Sequence, residues 1–335
     1  MAIRIGLLSI AHLHAEAYQA NLKSIRDVEL VGFSHENPEQ SREFAEKYGL
    51  RWFVTHEELL AEGLDGVVIC AENANHSALT EKAAEAKCSI LCEKPIATTV
   101  SDAEAMRSAC QRNQVRFMTA FPMRFTPSAR AVRNSLKNGE LGKILGANGI
   151  NHSEIPTPHR TWFADKKLAG GGAVMDHTVH LSDLFRWFFN AEATVVYGEI
   201  ENSFYPHEVD VETAGLIMVK LSNGIRASID CSWSRPAGYP RWGHLKLEIV
   251  GEKGALVMDA FAQHVTLYAP DSMRNPSWIG FGSDPNQAMI EEFVGSIREE
   301  RDPSVSWNDG YQAMRVALAA YESANVGQPV HLQHP

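Results

Sequence analysis

Two patterns of apolar and polar positions divide the chain. In the first 120 residues, short apolar runs alternate with segments of helical periodicity. The runs predict buried strands at 4–9, 29–34, 65–70, 89–92 and 116–120. Strands that alternate with helices pair in parallel through right-handed crossovers. We therefore expect an open α/β sheet in this half, with ligands bound beyond the carboxyl ends of its strands.

Helix-start signals support this alternation. Helices are predicted over 15–23 and about 77–86. Asn37 followed by Pro38 is typical of an N-cap and a first helical position. Ser101, with Glu104 three residues later, predicts a capping box for the next helix.

After about residue 145 the pattern changes. Strands are predicted at 145–153, 194–204, 213–221, 225–233, 245–250 and 255–258. Asn223-Gly224 between two of them favours a tight hairpin, because this pair accepts positive φ angles. The polar stretch 267–286 predicts a long surface loop, and apolar spacing predicts a helix near 290–297 and a final one over 311–325. This half is expected to form an open, mostly antiparallel sheet flanked by helices, an α+β arrangement.

Composition excludes several classes of protein. At 335 residues and 44% hydrophobic content, the chain has the size of about two globular domains. The formal net charge of −10 provides no basic footprint for nucleic acid. No apolar run approaches the ~18 residues that span a bilayer, and the N-terminal residues lack the pattern of a signal peptide. Five cysteines without a Cys-x-x-Cys pair argue against a disulfide scaffold, so we expect a cytoplasmic protein.

The first strand leads into a degraded version of a dinucleotide-binding turn. A Gly-x-Gly-x-x-Gly turn lets backbone amides approach a pyrophosphate, but here Ser9 and Ala11 stand where glycines are expected. The candidate cofactor residues of this segment are Gly6, Ser9, Ile10, Ala11 and His12. At the end of the second strand, Glu36 is a candidate for the ribose hydroxyls, whereas Ser34 and His35 are compatible with a 2′-phosphate. The choice between NAD and NADP stays open.

A Glu-Lys-Pro motif places Lys94 at the carboxyl end of a predicted strand. Pro95 stiffens the turn and is compatible with a cis bond, which would fix the direction of the lysine. From spacing alone, an ordinary surface lysine explains the motif equally well.

The order of several motifs resembles the Gfo/Idh/MocA oxidoreductases. The matching segments are 65–70, 73–76, Glu93-Lys94-Pro95, Arg124-Phe125-x-Pro127, Gly170-Gly171-Gly172-x-x-x-Asp176-x-x-x-His180 and Val209-Asp210-Val211-Glu212. This resemblance spans nearly the whole chain. It implies a Rossmann-type, doubly wound domain at 1–123 and a substrate-binding and oligomerisation domain at 124–335, with a final helix that packs back on the first domain.

The resemblance also implies a site and its ligands. Lys94, Asp176 and His180 match the catalytic residues of the family. Asn73, Asn75, His76, Glu93, Lys94 and Arg124 match positions near the cofactor. The expected ligands are NAD or NADP and a sugar, glycoside or polyol, and the expected assembly is a homodimer or homotetramer through the C-terminal sheet.

The spacing of Asp176 and His180 suits this chemistry. Residues four apart face the same way on a helix. If the helix starts near Asp176, its dipole favours the carboxylate and a neutral imidazole, which is what a general base needs. Without the resemblance, an exposed helix face is the favoured explanation of the pair. The hypothesis needs amine, carboxylate and imidazole to meet beside the nicotinamide ring.

Histidines are dense around this motif. A metal site formed by Asp176, His177 and His180 is the less favoured interpretation, and a polar sugar-binding cleft is the alternative. The candidate substrate residues are Lys94, His152, Arg160, Trp162, Asp176, His177 and His180. Trp162 suits either an aromatic wall for a sugar ring or ordinary core packing.

Three functions are compatible with these residues. The leading hypothesis is an NAD(P)-dependent dehydrogenase that moves a hydride between a secondary hydroxyl of a sugar or polyol and nicotinamide. A second is redox-neutral cleavage or elimination with transient use of the cofactor. A third is a sensor that binds sugar or dinucleotide without catalysis, which would not need a base.

Overall fold

The computed structural model describes residues 2–268 and 276–333. These fall into two compact units. The first comprises the residues up to Pro122 with Leu168–Gly170 and Asn286–Tyr311, and the second comprises the rest. The two continuous segments predicted above, 1–123 and 124–335, differ from this division because the late segment 286–311 belongs to the first unit.

The described elements are the following. The strands are β1 (Ile3–Leu8), β2 (Val28–Ser34), β3 (Trp52–Phe53), β4 (Gly66–Ile69), β5 (Ser89–Cys92), β6 (Phe117–Thr119), β7 (Ile144–Ser153), β8 (Ala193–Glu201), β9 (Ala214–Leu221), β10 (Arg226–Ser232), β11 (Gly243–Gly251), β12 (Gly254–Asp259), β13 (His264–Leu267), β14 (Ser277–Gly280) and β15 (Val330–His331). The α-helices are α1 (Ala15–Ser24), α2 (Pro38–Tyr48), α3 (His56–Leu60), α4 (His76–Glu85), α5 (Val100–Asn113), α6 (Pro127–Lys137), α7 (Lys166–Ala169), α8 (Ala173–Phe189), α9 (Pro285–Arg298) and α10 (Trp307–Val326).

The first unit contains a six-stranded sheet in the order β3-β2-β1-β4-β5-β6, and all of its strand pairs are parallel. This is the doubly wound order of dinucleotide-binding folds, in which the chain reverses direction across the sheet at β1 and β4. The four-residue strands β4 and β5 are buried along their whole length, because helices cover both faces of such a sheet. The predicted Rossmann-type sheet is confirmed.

The N-cap of α2 is the predicted residue, whereas that of α5 is not. Asn37 does cap α2: its side-chain oxygen accepts hydrogen bonds from the amides of Glu39 and Gln40. The capping box at Ser101 is wrong. α5 begins earlier, at Val100, and the hydroxyl of Thr99 accepts from the Asp102 amide at 3.1 Å. Both residues are hydroxyl-bearing N-cap formers, so residue type alone did not separate them.

The second unit contains a seven-stranded sheet in the order β12-β11-β7-β10-β9-β8-β15. Its strand pairs are antiparallel, except that β10 runs parallel to β7. Helix α8 covers one face: a Cβ at Gly149 of β7 would lie 2.7 Å from a methyl carbon of Leu181. The core of the unit lies between this helix and the sheet. The predicted open, mostly antiparallel sheet is confirmed.

The predicted loop at 267–286 is wrong in part. β13 ends at Leu267, and β14 pairs with it in an antiparallel ribbon. α9 begins at Pro285, and the middle of the predicted loop, 269–275, lies outside the described residues. The polar composition of this stretch concealed the short strand, because an exposed two-stranded ribbon needs little apolar patterning.

The final helix begins four residues earlier than predicted. Its first turn, 307–311, belongs to the first unit, where the Trp307 indole donates to the Ala103 carbonyl at 2.9 Å. The later turns belong to the second unit. Among the described residues, no helix is both long enough and apolar enough to cross a membrane.

Candidate functional site

The turn after β1 keeps a left-handed conformation without glycine. Ser9 has φ 67°, a region where a non-glycine residue is strained by about 1 kcal/mol or more. Its hydroxyl is within hydrogen-bond distance of the Ala11 amide, at 3.1 Å, and of Nδ1 of His35, at 3.2 Å. These bonds offset the strain and keep the turn tight.

Other amides of this turn also have internal acceptors. The His12 amide donates to the Cys70 carbonyl at 2.8 Å, and the His14 amide donates to Nδ1 of His12 at 3.2 Å. Ile10 and Ala11 are both 4% exposed. Gly6 lies within β1 itself, where a Cβ would be 2.7 Å from the Leu64 side chain, so the structure gives it a packing role instead of the predicted cofactor contact.

Glu93, at the end of β5, forms the centre of a polar cluster with the two histidines of the turn. Its side chain is fully buried; Oε1 lies 2.8 Å from Nδ1 of His14 and 4.0 Å from Nδ1 of His12. Burial alone would raise the pKa of Glu93, but His12, His14 and Lys94 lower it well below its usual value. Glu93 therefore stays ionised and attracts positive charge to the turn.

The same three side chains are of metal-ligand type. Among residues 2–268 and 276–333, the group whose potential ligand atoms all lie within 4.8 Å of one another is His12, His14 and Glu93. The set suggested by the sequence, Asp176, His177 and His180, does not form such a group within these ranges. The direct hydrogen bond between His14 and Glu93 satisfies the carboxylate without a cation.

Lys94 is 5% exposed and precedes a cis peptide bond to Pro95, as the motif allowed. The neighbouring His76 is completely buried, and its ring nitrogens lie 2.9 Å from the Pro95 carbonyl and 3.2 Å from the Ala71 carbonyl. Burial lowers the pKa of His76. His76 was predicted to contact the cofactor, but its ring holds the turn that carries Lys94.

The asparagines predicted beside His76 differ in exposure. Asn73 is buried and donates to the Ala169 carbonyl at 2.9 Å. Asn75 is exposed and donates to the Glu72 carboxylate at 3.0 Å. Of the two, Asn75 has the side chain that a ligand can reach directly.

The three candidate residues for the adenosine ribose, at the end of β2, differ in exposure. Ser34 is completely buried and lies 2.7 Å from Nδ1 of His56. His35 is 8% exposed and bonds through its two nitrogens to Ser9 and Gln40. Glu36 is exposed. An exposed carboxylate at this position suits ribose hydroxyls and repels a 2′-phosphate.

In the second unit, α8 is buried along most of its length. The residues of this helix that are not buried are Asp176, His180, Arg186 and Trp187. Asp176 and His180 are four apart, so they form one partly exposed polar patch on an otherwise largely buried helix. The alternative of an ordinary solvated face does not fit a helix whose other residues near this patch are buried.

The start of α8 differs from the prediction. The helix begins at Ala173, so Asp176 lies in its first turn and His180 lies beyond it. Helix-dipole effects fall off within the first turn. The dipole therefore favours the Asp176 carboxylate, and its expected influence on His180 is weak.

The two other histidine candidates of the second unit, His177 and His152, differ in their relation to this patch. His177 is buried, with Nε2 lying 3.2 Å from both the Ser153 hydroxyl and the Asp176 carboxylate. Residues alternate between the faces of a strand, and Asn151 bonds to the α8 carbonyl of His177. His152 therefore points to the opposite sheet face, where it lies 2.9 Å from Asp230. His177 thus contacts the Asp176–His180 patch through the Asp176 carboxylate, but from a buried position. His152 lies on the other face of the sheet and does not share the patch, contrary to expectation.

Arg160 is partly exposed and donates to the adjacent His159 carbonyl. Trp162 is 8% exposed, and its ring stacks on Phe163 with 4.0 Å between centroids. This favours the packing interpretation of Trp162. Arg124, predicted near the nicotinamide, is buried and forms a bidentate pair with Asp183 of α8, at 2.7 and 2.5 Å. Its guanidinium thus anchors α8.

Sequence reasoning missed two residues at the start of α8. Glu212 accepts hydrogen bonds there, and Tyr321 donates to Glu212 at 2.6 Å. The Val-Asp-Val-Glu motif that ends at Glu212 is part of the family resemblance, but its sequence predicts no role for the glutamate. Tyr321 lies more than 100 positions later in the chain, and no spacing signal links it to α8.

Comparison with known proteins identifies the family. A family model described as "Oxidoreductase family, NAD-binding Rossmann fold" matches residues 3–121, and one described as "GFO/IDH/MocA C-terminal domain" matches residues 129–257. The chain belongs to the Gfo/Idh/MocA oxidoreductase family. It is therefore an oxidoreductase with an NAD-binding Rossmann domain, which confirms the resemblance noted from the motifs.

Relatives in this family span nearly the whole chain. Myo-inositol 2-dehydrogenase of Thermotoga maritima is 27% identical over 98% of this chain and 97% of its own length. Scyllo-inositol 2-dehydrogenase (NAD(+)) of Bacillus subtilis is 24% identical over 98% of this chain and 95% of its own. The crystal structure of myo-inositol 2-dehydrogenase from Lactobacillus plantarum has the same fold, with a TM-score of 0.86, 24% identity, and coverage of 99% of this chain and all of that one.

The turn after β1 fits a dinucleotide. The left-handed Ser9 supplies the conformation that a first glycine would provide, and the strand order places this turn at the switch point where such ligands bind. The amides of Ala11 and His14 donate to the side chains of Ser9 and His12, respectively. Rotation of those side chains would release both donors to a pyrophosphate.

Proposed function

We propose that this protein is an NAD-dependent dehydrogenase that oxidises a secondary hydroxyl of a cyclic polyol or sugar, with Lys94, Asp176 and His180 as its catalytic residues. The observation that carries the proposal is the Asp176–His180 patch, the accessible polar surface near the start of a buried helix. The relatives include two inositol dehydrogenases, which supports a polyol substrate.

In the proposed reaction, His180 takes the hydroxyl proton as the same carbon loses its hydride. NAD, when bound, supplies the nicotinamide carbon that accepts this hydride. Asp176 accepts hydrogen bonds from substrate hydroxyls and orients them. Lys94 donates a hydrogen bond to the reacting oxygen and stabilises its developing negative charge.

Neighbouring groups influence the charge or position of the three proposed catalytic residues. Glu93, fully buried beside Lys94 in sequence, maintains negative charge near the amine and the two turn histidines. The first-turn position of Asp176 stabilises its ionised form. The Arg124–Asp183 pair fixes α8 less than one turn after His180.

We propose NAD over NADP as the preferred cofactor, because Glu36 is the exposed group at the end of β2 while Ser34 and His35 are engaged in buried hydrogen bonds. An exposed carboxylate opposes a 2′-phosphate by charge repulsion. Glu36→Ala is expected to raise the relative efficiency with NADP by about tenfold, an effect near 1.4 kcal/mol. Equal use of both cofactors by the wild-type enzyme would contradict the preference.

The central test measures absorbance at 340 nm across a panel of inositols, aldoses and alditols with NAD and NADP. We expect net NADH formation with at least one cyclic polyol. His180→Ala should lower kcat by about 10²–10⁴-fold, the usual contribution of a general base. His207→Ala, which changes an exposed histidine of the same unit, is the matched control.

A double-mutant cycle then asks whether Lys94 and His180 serve one step. Residues that act as a unit are strongly non-additive, so Lys94→Ala combined with His180→Ala should cost little more than either change alone. Full turnover by His180→Ala would refute its assignment. Product formation without net NADH would instead favour redox-neutral chemistry.

We also propose assembly of a homo-oligomer through the sheet face of the second unit that points away from α8. Leu216 and Met218 are outward-facing neighbours on β9 and are 61% and 51% exposed. Adjacent large apolar groups exposed on a sheet are typical of interaction surfaces. Light scattering should report a dimer or tetramer, and Leu216→Asp should reduce its mass; a monomeric wild type would disprove the proposal.

A further inference from the structure

The N-terminus of α8 has an unusually complete set of hydrogen-bond acceptors. The first amides of a helix have no partner within the helix. Here Gly172 and Val174 donate to Oε1 of Glu212, at 2.7 and 3.0 Å. The Ala173 amide donates to the backbone carbonyl of Glu212 at 3.0 Å. One residue from a distant loop thus accepts from three successive amides.

Tyr321 of α10 completes the set. Its hydroxyl oxygen accepts from the Met175 amide at 3.1 Å, and its proton is donated to Oε1 of Glu212 at 2.6 Å. The next amide, that of Asp176, makes the first bond within the turn, to the Gly172 carbonyl at 3.0 Å. Every amide from Gly172 to Asp176 therefore has an assigned acceptor.

Close packing makes this arrangement specific. A Cβ at Gly171 would overlap the Tyr321 hydroxyl, and a Cβ at Gly172 would overlap the Glu212 carbonyl oxygen. Gly172 also adopts φ −112° and ψ −127°. Because glycine has no Cβ, Tyr321 and Glu212 can approach Gly171 and Gly172 closely enough to accept hydrogen bonds from the helix start. A side chain at either position would prevent this approach.

We propose that Glu212 and Tyr321 are positioning residues: they fix the first turn of α8 and thereby hold Asp176 and His180 in their reactive orientation. This inference rests on the proposed function of those two residues. In this proposal, Glu212 and Tyr321 act through α8 and do not contact substrate or cofactor.

The surroundings agree with a carboxylate in this role. Burial raises the pKa of Glu212, while the bonds from Tyr321, Val174 and Gly172 oppose that rise. Burial and the adjacent Glu212 raise the pKa of Tyr321, so it stays a donor. An anion at a helix N-terminus is also stabilised by the helix dipole.

The test compares Glu212→Ala, Glu212→Gln and Tyr321→Phe with two controls of the same chemical type. Glu208→Gln removes an exposed carboxylate from the same loop, and Tyr268→Phe removes an exposed hydroxyl. Tyr321→Phe deletes a single oxygen and preserves the ring, so it stays informative if Glu212→Ala does not fold.

The first readout is amide hydrogen exchange by mass spectrometry, which needs no substrate. In Tyr321→Phe and Glu212→Ala, peptides covering 170–178 should exchange at least about tenfold faster than in the wild type, since tenfold corresponds to the loss of one ordinary hydrogen bond. Peptides covering β9 should be unchanged. Glu212→Gln, which keeps an acceptor oxygen, should exchange at an intermediate rate.

The second readout separates positioning from general damage. At matched folded fraction, kcat for the best polyol should fall by about tenfold or more in Glu212→Ala, with the Kd for NADH within about twofold of wild type, and Glu212→Gln should recover part of the loss.

The outcomes distinguish the two hypotheses. Unchanged exchange at 170–178 in both variants would overturn the positioning role, as would a kcat loss that only follows the loss of folded protein or is matched by Glu208→Gln. If the wild-type enzyme oxidises no polyol, the proposed function fails, and the exchange measurement still decides whether Glu212 and Tyr321 fix the helix start.

Discussion

The segments that precede α1 and α8 both provide hydrogen-bond acceptors for backbone amides at the start of a helix, but they do so in different ways. The turn before α1 has lost the glycines typical of its fold, yet it retains a left-handed residue at Ser9 and internal acceptors for its amides. The turn before α8 retains Gly171 and Gly172 and takes its acceptors from distant residues. A glycine needed for its φ angle is replaceable at modest cost, whereas a glycine needed for space is not.

The difference follows from elementary energetics. A left-handed non-glycine residue costs about 1–2 kcal/mol, which one or two local hydrogen bonds can offset. Local hydrogen bonds cannot offset the overlap of an added methyl group with a backbone oxygen, because the backbone of both contacting segments must move to relieve it. The two turns therefore tolerate different substitutions.

The largest expected effect is that of Gly172→Ala, whose new methyl group would overlap the Glu212 carbonyl oxygen. We expect a loss of about 3 kcal/mol in the free energy of unfolding, measured by urea denaturation. Gly139→Ala is the matched control in the same unit: Gly139 has φ 69° with open space around its Cβ position, so its cost should be about 1 kcal/mol. Equal losses of unfolding free energy in the two variants would contradict the distinction between a glycine needed for its φ angle and one needed for space.

An intermediate effect is expected for Glu93→Gln, which removes the anion that anchors the turn before α1. The loss should be about 2 kcal/mol at pH 7, as for hydrogen bonds to charged groups. Because the folded pKa of Glu93 is lowered, its stabilisation is present above the ordinary value of 4.5 and is lost as the pH falls below it.

Thermal unfolding at pH 7 and at about pH 4 measures this contribution. The wild-type protein should lose more stability between the two pH values than Glu93→Gln does. Glu85→Gln, which alters an exposed carboxylate on α4 of the same unit, is the control. Parallel pH profiles for wild type and Glu93→Gln would contradict the assigned role.

The smallest effect concerns Ser9. Ser9→Ala keeps the strained φ and loses the hydroxyl bonds to Ala11 and His35, so it should destabilise by about 1 kcal/mol. Ser9→Gly loses the same bonds but relieves the strain, so its net effect should be close to zero. Thermal melts of the two variants decide; a Ser9→Gly variant no more stable than Ser9→Ala would show that φ strain is unimportant at this turn.

Much of the fold was predictable because its signals are local. Apolar runs separated by helical periods specified the parallel sheet, and the change of pattern near residue 145 specified the antiparallel one. Asn37 was assigned correctly because capping involves neighbours in sequence. Thr99 was missed in favour of Ser101 because two adjacent hydroxyl residues carry equivalent local signals.

The candidate site was less predictable. Lys94, Asp176 and His180 came from motifs, and their catalytic roles stay a prediction. His76, His152 and His177 share the residue type of a catalytic base, but burial and strand alternation give them other surroundings. Side-chain direction depends on which face of an element is covered, and sequence spacing does not report this for a polar residue.

Local patterning thus determined the two sheets, the main helices and the family motifs, because backbone conformation responds chiefly to near neighbours. Tertiary structure alone decided that Ser9 supplies a left-handed turn, that residues 286–311 complete the first unit, and that Tyr321 and Glu212 cap α8. Those outcomes depend on contacts between segments far apart in the chain, where close packing admits one arrangement and excludes its neighbours.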